Sequence, residues 1–203
     1  MTFLDRAHGD FVFPRRIAKL SDAISKLIPA QSEVLDIGCG DGQLAATILT
    51  KRSDIRIRGI DVLVRKQTFI PVNEFNGITI PYDGGSFDVS ILVDVLHHTD
   101  DPAVLLREAM RVSRRGVIVK DHTKDGLLAG TRLRFMDWVG NARHGVVLPY
   151  NYWSQATWQR ELANLNCESE HWITELGLYP VWADWLFGSS LHFVAFLRPK
   201  TKP

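Results

Sequence analysis

Apolar residues in this chain keep two rhythms. Val34–Ile37, Val89–Val93 and Val117–Val119 are short, nearly unbroken apolar runs, the pattern of strands buried on both faces. Ile55-Arg-Ile-Arg-Gly-Ile-Asp61 alternates and predicts a second strand, and the stretch 69–75 carries a third. Helical spacing appears between them. Ile17, Leu20, Ile24, Leu27 and Ile28 form one face, stopped by Pro29. Leu44 to Leu49 forms another, and Leu105, Leu106, Ala109, Met110 and Val112 a third, opened by Asp101-Pro102. Ser154 is placed to cap a helix over 155–165, and the late runs 168–176 and 191–197 read as two more strands. Strands alternating with helices predict an α/β fold around a parallel sheet.

One junction stands apart. The run Glu33-Val-Leu-Asp-Ile breaks into Gly38, Gly40 and Gly42 before the helical face at 44–49 begins. Strand, glycine turn and helix open a nucleotide-binding unit, because the glycines bring the backbone close to a ligand and the helix presents free N–H groups to it. Position 43 is Gln where a dinucleotide fingerprint carries its third glycine. Asp36 and Asp41 would repel a pyrophosphate. They suit a ligand with hydroxyls and a cationic centre, which disfavours an NAD-linked oxidoreductase. Asp61 ends the second strand about 20 residues further on, the spacing of an acid that binds ribose hydroxyls.

Length and composition narrow the class. The chain has 203 residues, 45% hydrophobic and 23% charged, with net charge +1. That reads as a single globular domain over 1–203. Residues 1–30 form an N-terminal arm and helix. Nothing in the balance favours nucleic acid, and Arg107, Arg111, Arg114 and Arg115 read as a solvated helix face. The two cysteines, Cys39 and Cys167, give neither a disulfide framework nor zinc spacing, and Cys39 reads as a small filler. No run reaches membrane-spanning length and no leader is evident, so the expectation is a cytoplasmic protein.

The glycine turn resembles the first motif of the class I S-adenosylmethionine (SAM)-dependent methyltransferases, acid-x-Gly-x-Gly-x-Gly. Phe87-Asp-Val-Ser-Ile-Leu-Val-Asp-Val-Leu-His-His98 is similar to that family's fourth-strand segment. The resemblance extends over about 33–121 and is nearest to the small-molecule, type 11-like branch. It implies a Rossmann-like, doubly wound seven-stranded sheet, mostly parallel with an antiparallel last strand. Residues 123–153, after the fifth strand, are too long for a simple connection and read as a cap over the substrate crevice, the alternative being an extra packed helix with a tail. The resemblance implies SAM as cofactor and S-adenosylhomocysteine as product. The cofactor residues it implies are Asp36, Gly38, Gly40, Gly42, Asp61, Phe75, Asn76 and Asp94. Asn76 stands where the family more often has an acid on the adenine, and Phe75 with Ile78 would sandwich the ring.

The acceptor is constrained mainly by exclusion. No Asn-Pro-Pro-Tyr or Pro-Cys stands where DNA methyltransferases carry one. A small molecule, apolar or aromatic, is the expected partner, held by Asp121 and by Tyr150, Tyr152 and Trp153 of the cap. Transfer from a sulfonium needs alignment more than activation. Where the acceptor loses a proton, His97, His98 and His122 are the candidate bases, with His98 and His122 preferred. The histidine spacing fits no zinc motif, so no metal is expected. The rival reading is a non-catalytic module of the same fold that binds a partner protein. The aromatic stretch 179–187 has no assigned role, and the oligomeric state is open.

Overall fold

A computed structural model describes residues 13–126, 128–134, 149–179 and 191–200. The N-terminal arm before residue 13, nearly half of the cap (127 and 135–148) and nearly all of the aromatic stretch lie outside them. Helix α1 spans Phe13–Leu27, β1 Glu33–Ile37, α2 Gln43–Leu49, β2 Arg56–Asp61, β3 Val72–Glu74 and β4 Phe87–Val93. A 3-10 turn at Leu96–His98 precedes α3 (Pro102–Val112) and β5 (Ser113–His122). A helical segment follows over 129–134, then α4 (Gln155–Asn164), β6 (Cys167–Ile173) and β7 (His192–Pro199).

The strands form one seven-stranded sheet in the order β3-β2-β1-β4-β5-β7-β6. The first five run parallel, and β7 is antiparallel to both β5 and β6. Alternation along each strand splits the core between two faces. Val34, Ile57, Ile91 and Ile118 pack with Leu20 and Ile24 of α1 and Ile48 of α2. Leu35, Ile60, Leu92 and Val119 pack with Leu105, Leu106 and Ala109 of α3 and with Trp158 and Leu162 of α4. No helix among the described residues is long and apolar enough to cross a membrane.

Strand order reverses between β1 and β4, so the crevice beyond their carboxyl ends is where this architecture binds ligands. The glycine turn leaves β1 there, and β4 and β5 deliver their last residues beside it. Because β7 is antiparallel, its first residue, His192, pairs with the last residue of β5, His122.

Candidate functional site

The glycine turn is shaped by residues that other side chains could not replace. Gly38 adopts φ +70°, and a Cβ on it would lie 2.5 Å from Val95 Cγ2. Gly40 adopts φ +61°, with nothing within 4 Å of where its Cβ would be, so the turn is open on that side. Left-handed backbone at both positions favours glycine. Cys39 packs against Gly59, where a Cβ would meet its Sγ at 2.3 Å, which fits a small filler.

Asp61 ties the turn to the end of β2. Its Oδ2 accepts from Gly40 N–H at 2.7 Å and its Oδ1 from Leu63 N–H at 2.9 Å. Each oxygen keeps a second lone pair for an incoming hydroxyl. Asp36, on the neighbouring strand, is buried, and its carboxyl is pushed up to about 7, first by burial and then by the charge of Asp61. Beside them stands an apolar rim. Val62, Leu63 and Ile78 are each more than half exposed, and Val62 lies against the Gly77 turn. A strand-end acid, an open glycine turn and exposed apolar side chains are thus gathered at the carboxyl ends of β1 and β2.

Two residues expected at the base sit differently. Phe75 is buried in the main core, so it does not form an open sandwich with the exposed Ile78. Asn76 Oδ1 accepts from the backbone N–H groups of Ile78 and Thr79, at 2.9 and 2.7 Å. It is committed to the turn that presents Ile78.

The ends of β4, β5 and β7 hold a second, densely ionisable group. Asp94, in left-handed backbone at φ +57°, accepts from Arg16 of α1 at 2.7 Å and from the fully buried Lys120 ammonium. Burial works against that carboxylate, but the charges of Lys120 and Arg16 outweigh it and hold Asp94 well below the usual carboxylate range. Burial lowers the Lys120 pKa, opposed by Asp94. Asp94, expected to bind cofactor, thus pairs with two of the protein's own cations, and its side chain stays 22% exposed. Lys120 Nζ also lies 3.2 Å from His192 Nδ1.

Asp121 organises the histidines. Its Oδ1 lies 2.6 Å from His97 Nδ1 and 3.2 Å from His122 Nδ1, and accepts from the His122 backbone N–H at 2.8 Å. All three residues are buried, so Asp121 orients imidazoles and does not face an acceptor directly. Burial and the nearby Lys120 charge bring His122 down to about 4, a weak base at neutral pH. His98 packs against His97, with ring centroids 4.1 Å apart. The candidate ligand atoms of His97, Asp121 and His122 lie within 4.8 Å of one another, a spacing that a metal ion would tolerate. Here Asp121 Oδ1 joins the two imidazoles by hydrogen bonds.

The described end of the cap forms a wall beside this cluster. Tyr152 is buried and stacks on His97 at 5.2 Å. Asn151 pins the wall through its backbone N–H to His97 O and its side-chain amide to Thr99 O. Tyr150 adopts φ +57° and is partly buried. Trp153 differs from expectation: it packs edge-on against Trp158 at 4.7 Å, on the main core. Arg16 and His192 were missed in the sequence. The antiparallel last strand signals His192, because its first residue must lie beside the end of β5. No local signal marks Arg16, since α1 reads as an ordinary packed helix.

Comparison with known proteins adds three findings. A family model described as a methyltransferase domain matches residues 9–171. Curated relatives include the 27-O-demethylrifamycin SV methyltransferase of Amycolatopsis mediterranei (strain S699), 28% identical over 113 residues, covering 48% of this chain and 41% of the relative. Another is the 2-methyl-6-phytyl-1,4-hydroquinone methyltransferase of Synechocystis sp. (strain ATCC 27184 / PCC 6803 / Kazusa), 28% identical over 138 residues, covering 63% of this chain and 38% of the relative. The chain thus matches about two fifths of the length of these relatives. Among solved structures, a chain from a complex between the Haloferax volcanii Trm112 methyltransferase activator and a methyltransferase superposes with TM-score 0.67 at 12% identity, covering 98% of this chain and 99% of that one. At that identity the likeness concerns the fold.

Proposed function

The chain belongs to the methyltransferase-domain family, with SAM as its cofactor, and on that premise we propose that it methylates a small molecule with an apolar or aromatic body. The observation that carries the proposal is Asp61: one buried carboxylate holds the glycine turn through Gly40, at the strand end next to the exposed Val62 and Leu63. Bound SAM supplies a methyl group on a sulfonium, with a good leaving group already in place. The residues then align the acceptor, keep water out and, where the acceptor carries a proton, remove it. We assign the base to His97. Asp121 Oδ1, 2.6 Å from its Nδ1, fixes the orientation of the imidazole. His122, neutral and weakly basic, shares the carboxylate, and His98 lines the same corner. Tyr150 and Tyr152 wall the acceptor side. Support for an apolar acceptor comes from these rings and from the relative whose name specifies a phytyl hydroquinone.

Calorimetric titration with SAM, S-adenosylhomocysteine and NAD tests the reading. The two sulfur ligands are expected to bind and NAD not to. Asp61→Ala should weaken both sulfur ligands by about tenfold to a hundredfold, the worth of hydrogen bonds to a charged group, with the circular dichroism unchanged. Equal affinity in the variant removes the ribose assignment. A folded protein that binds neither sulfur ligand returns the weight to a non-catalytic, partner-binding module.

A further inference from the structure

The described parts of the cap have a small core of their own. Ala129 and Leu133 of the helical segment pack with Tyr152 and with Leu191 beside β7, and Tyr150 lies against them. This cluster is separate from the two cores that cover the sheet. It stands over the histidines: Tyr152 stacks on His97 with the rings 24° from parallel and meets His122 edge-on at 5.8 Å. A unit with its own core needs a joint to keep its place over another.

Asn151 makes such a joint. Its backbone N–H donates to His97 O at 3.1 Å, and its side-chain amide donates to Thr99 O at 2.8 Å and to Asp100 O at 3.2 Å. One residue thus grips the turn that carries His97 and His98. An amide suits the task because its NH₂ group has two donors to offer two carbonyls. The backbone on either side is shaped to the grip. Tyr150 adopts left-handed backbone at φ +57°, a conformation that a bulky residue keeps only where its surroundings impose it. Tyr152 N–H donates back to Tyr150 O at 2.8 Å. Strained backbone of this kind gathers where a ligand or a reacting group is held.

Asp121 orients the His97 imidazole through Nδ1, and Tyr152 covers its face and resists rotation about that contact. We propose that Asn151 is a positioning residue for methyl transfer: by locking the strap 150–152 to the His97 turn, it keeps Tyr152 on the imidazole and the imidazole aimed at the acceptor. The inference rests on His97 as the base. Asn151 itself acts only through Tyr152 and His97.

Two measurements test it, one of them without an acceptor. Diethyl pyrocarbonate acylates neutral imidazoles, and peptide mass spectrometry reads the rate at each histidine. In Asn151→Ala, His97 should react about tenfold faster than in the wild type, the worth of the lost side-chain hydrogen bonds. The exposed His171 should react equally in both. With an acceptor found by screening small molecules against methyl-labelled SAM, kcat should fall by about tenfold, while KM and S-adenosylhomocysteine affinity stay within about twofold. Asn151→Ser, which keeps one donor, should fall between in both measurements and serves if the alanine variant does not fold. An unchanged His97 rate overturns the lock. A faster rate with unchanged kcat, or a loss carried by KM alone, overturns the role in transfer. Unchanged turnover in His97→Gln would instead sink the base reading itself, a result separate from these.

Discussion

At the scale of single residues, the three histidines of the crevice divide by environment. His122 is brought down to about 4 by burial and by Lys120, while His97 holds the short contact to Asp121. With an acceptor found by screening small molecules against methyl-labelled SAM, His97→Gln should lower kcat by about a hundredfold or more, the usual worth of a general base. It should leave S-adenosylhomocysteine affinity within about twofold. His122→Asn should cost less. Unchanged turnover in His97→Gln removes that residue as base. Which residues could be read beforehand follows the same logic of locality. Gly38, Gly40 and Asp61 announce themselves because a glycine turn and a strand-end acid are local strings with a local physical reason. Asp94 and Asp121 could be placed at the crevice but not given partners, because Lys120, Arg16 and His97 reach them from other elements. Phe75 showed only an aromatic near a turn, and its place in the main core depends on the tertiary packing of distant elements.

At the scale of elements, the long apolar runs and the caps were legible and the polar margins were not. Asp101 caps α3 as its position before Pro102 predicts, its side chain accepting from Ala103 N–H at 3.0 Å. Ser154 caps α4 in the same way. β5 begins at Ser113, earlier than its apolar stretch suggests, because the Ser113 hydroxyl is buried between Ser90 Oγ and Ala109 O while Arg114 and Arg115 stay exposed. Arg114 and Arg115, expected on the solvated helix face with Arg107 and Arg111, therefore stand on β5, because the helix ends at Val112. β3, three residues long, has too little pattern to delimit. Asp101→Ala should destabilise the protein by about 0.5–2 kcal/mol in chemical denaturation, since α3 buries Leu105, Leu106, Ala109 and Val112 against the sheet. Asp101→Asn should cost less, because the amide oxygen can still accept. Equal losses in the two variants would locate the effect in charge and not in the cap.

At the scale of the whole molecule, the crevice stores ionisable groups that titrate in opposite senses. His122 and His192 are both lowered, first by burial and then by the Lys120 charge, the former to about 4. Unfolded, each binds a proton near pH 6.5, so between about 6.5 and 4 the unfolded chain takes up protons that the folded one refuses. Stability carried by these two is present above 6.5 and drains away as pH falls. Asp36, raised to about 7, acts the other way: over the same range the folded form holds a proton that the unfolded carboxylate has released, so acidification favours folding. Two histidines against one aspartate predict a net loss, on the order of 1–3 kcal/mol between pH 7 and pH 5. Asp94 is depressed far enough that its contribution persists above 3.8 and fails only in stronger acid. Urea denaturation at the two pH values measures the difference. His122→Asn should flatten the dependence, and Asp36→Asn, by removing the opposing group, should steepen it. A wild-type protein equally stable at pH 5 and pH 7, with no steeper profile in Asp36→Asn, would mean that the buried histidines are not held neutral and that the charge order of the crevice is other than described.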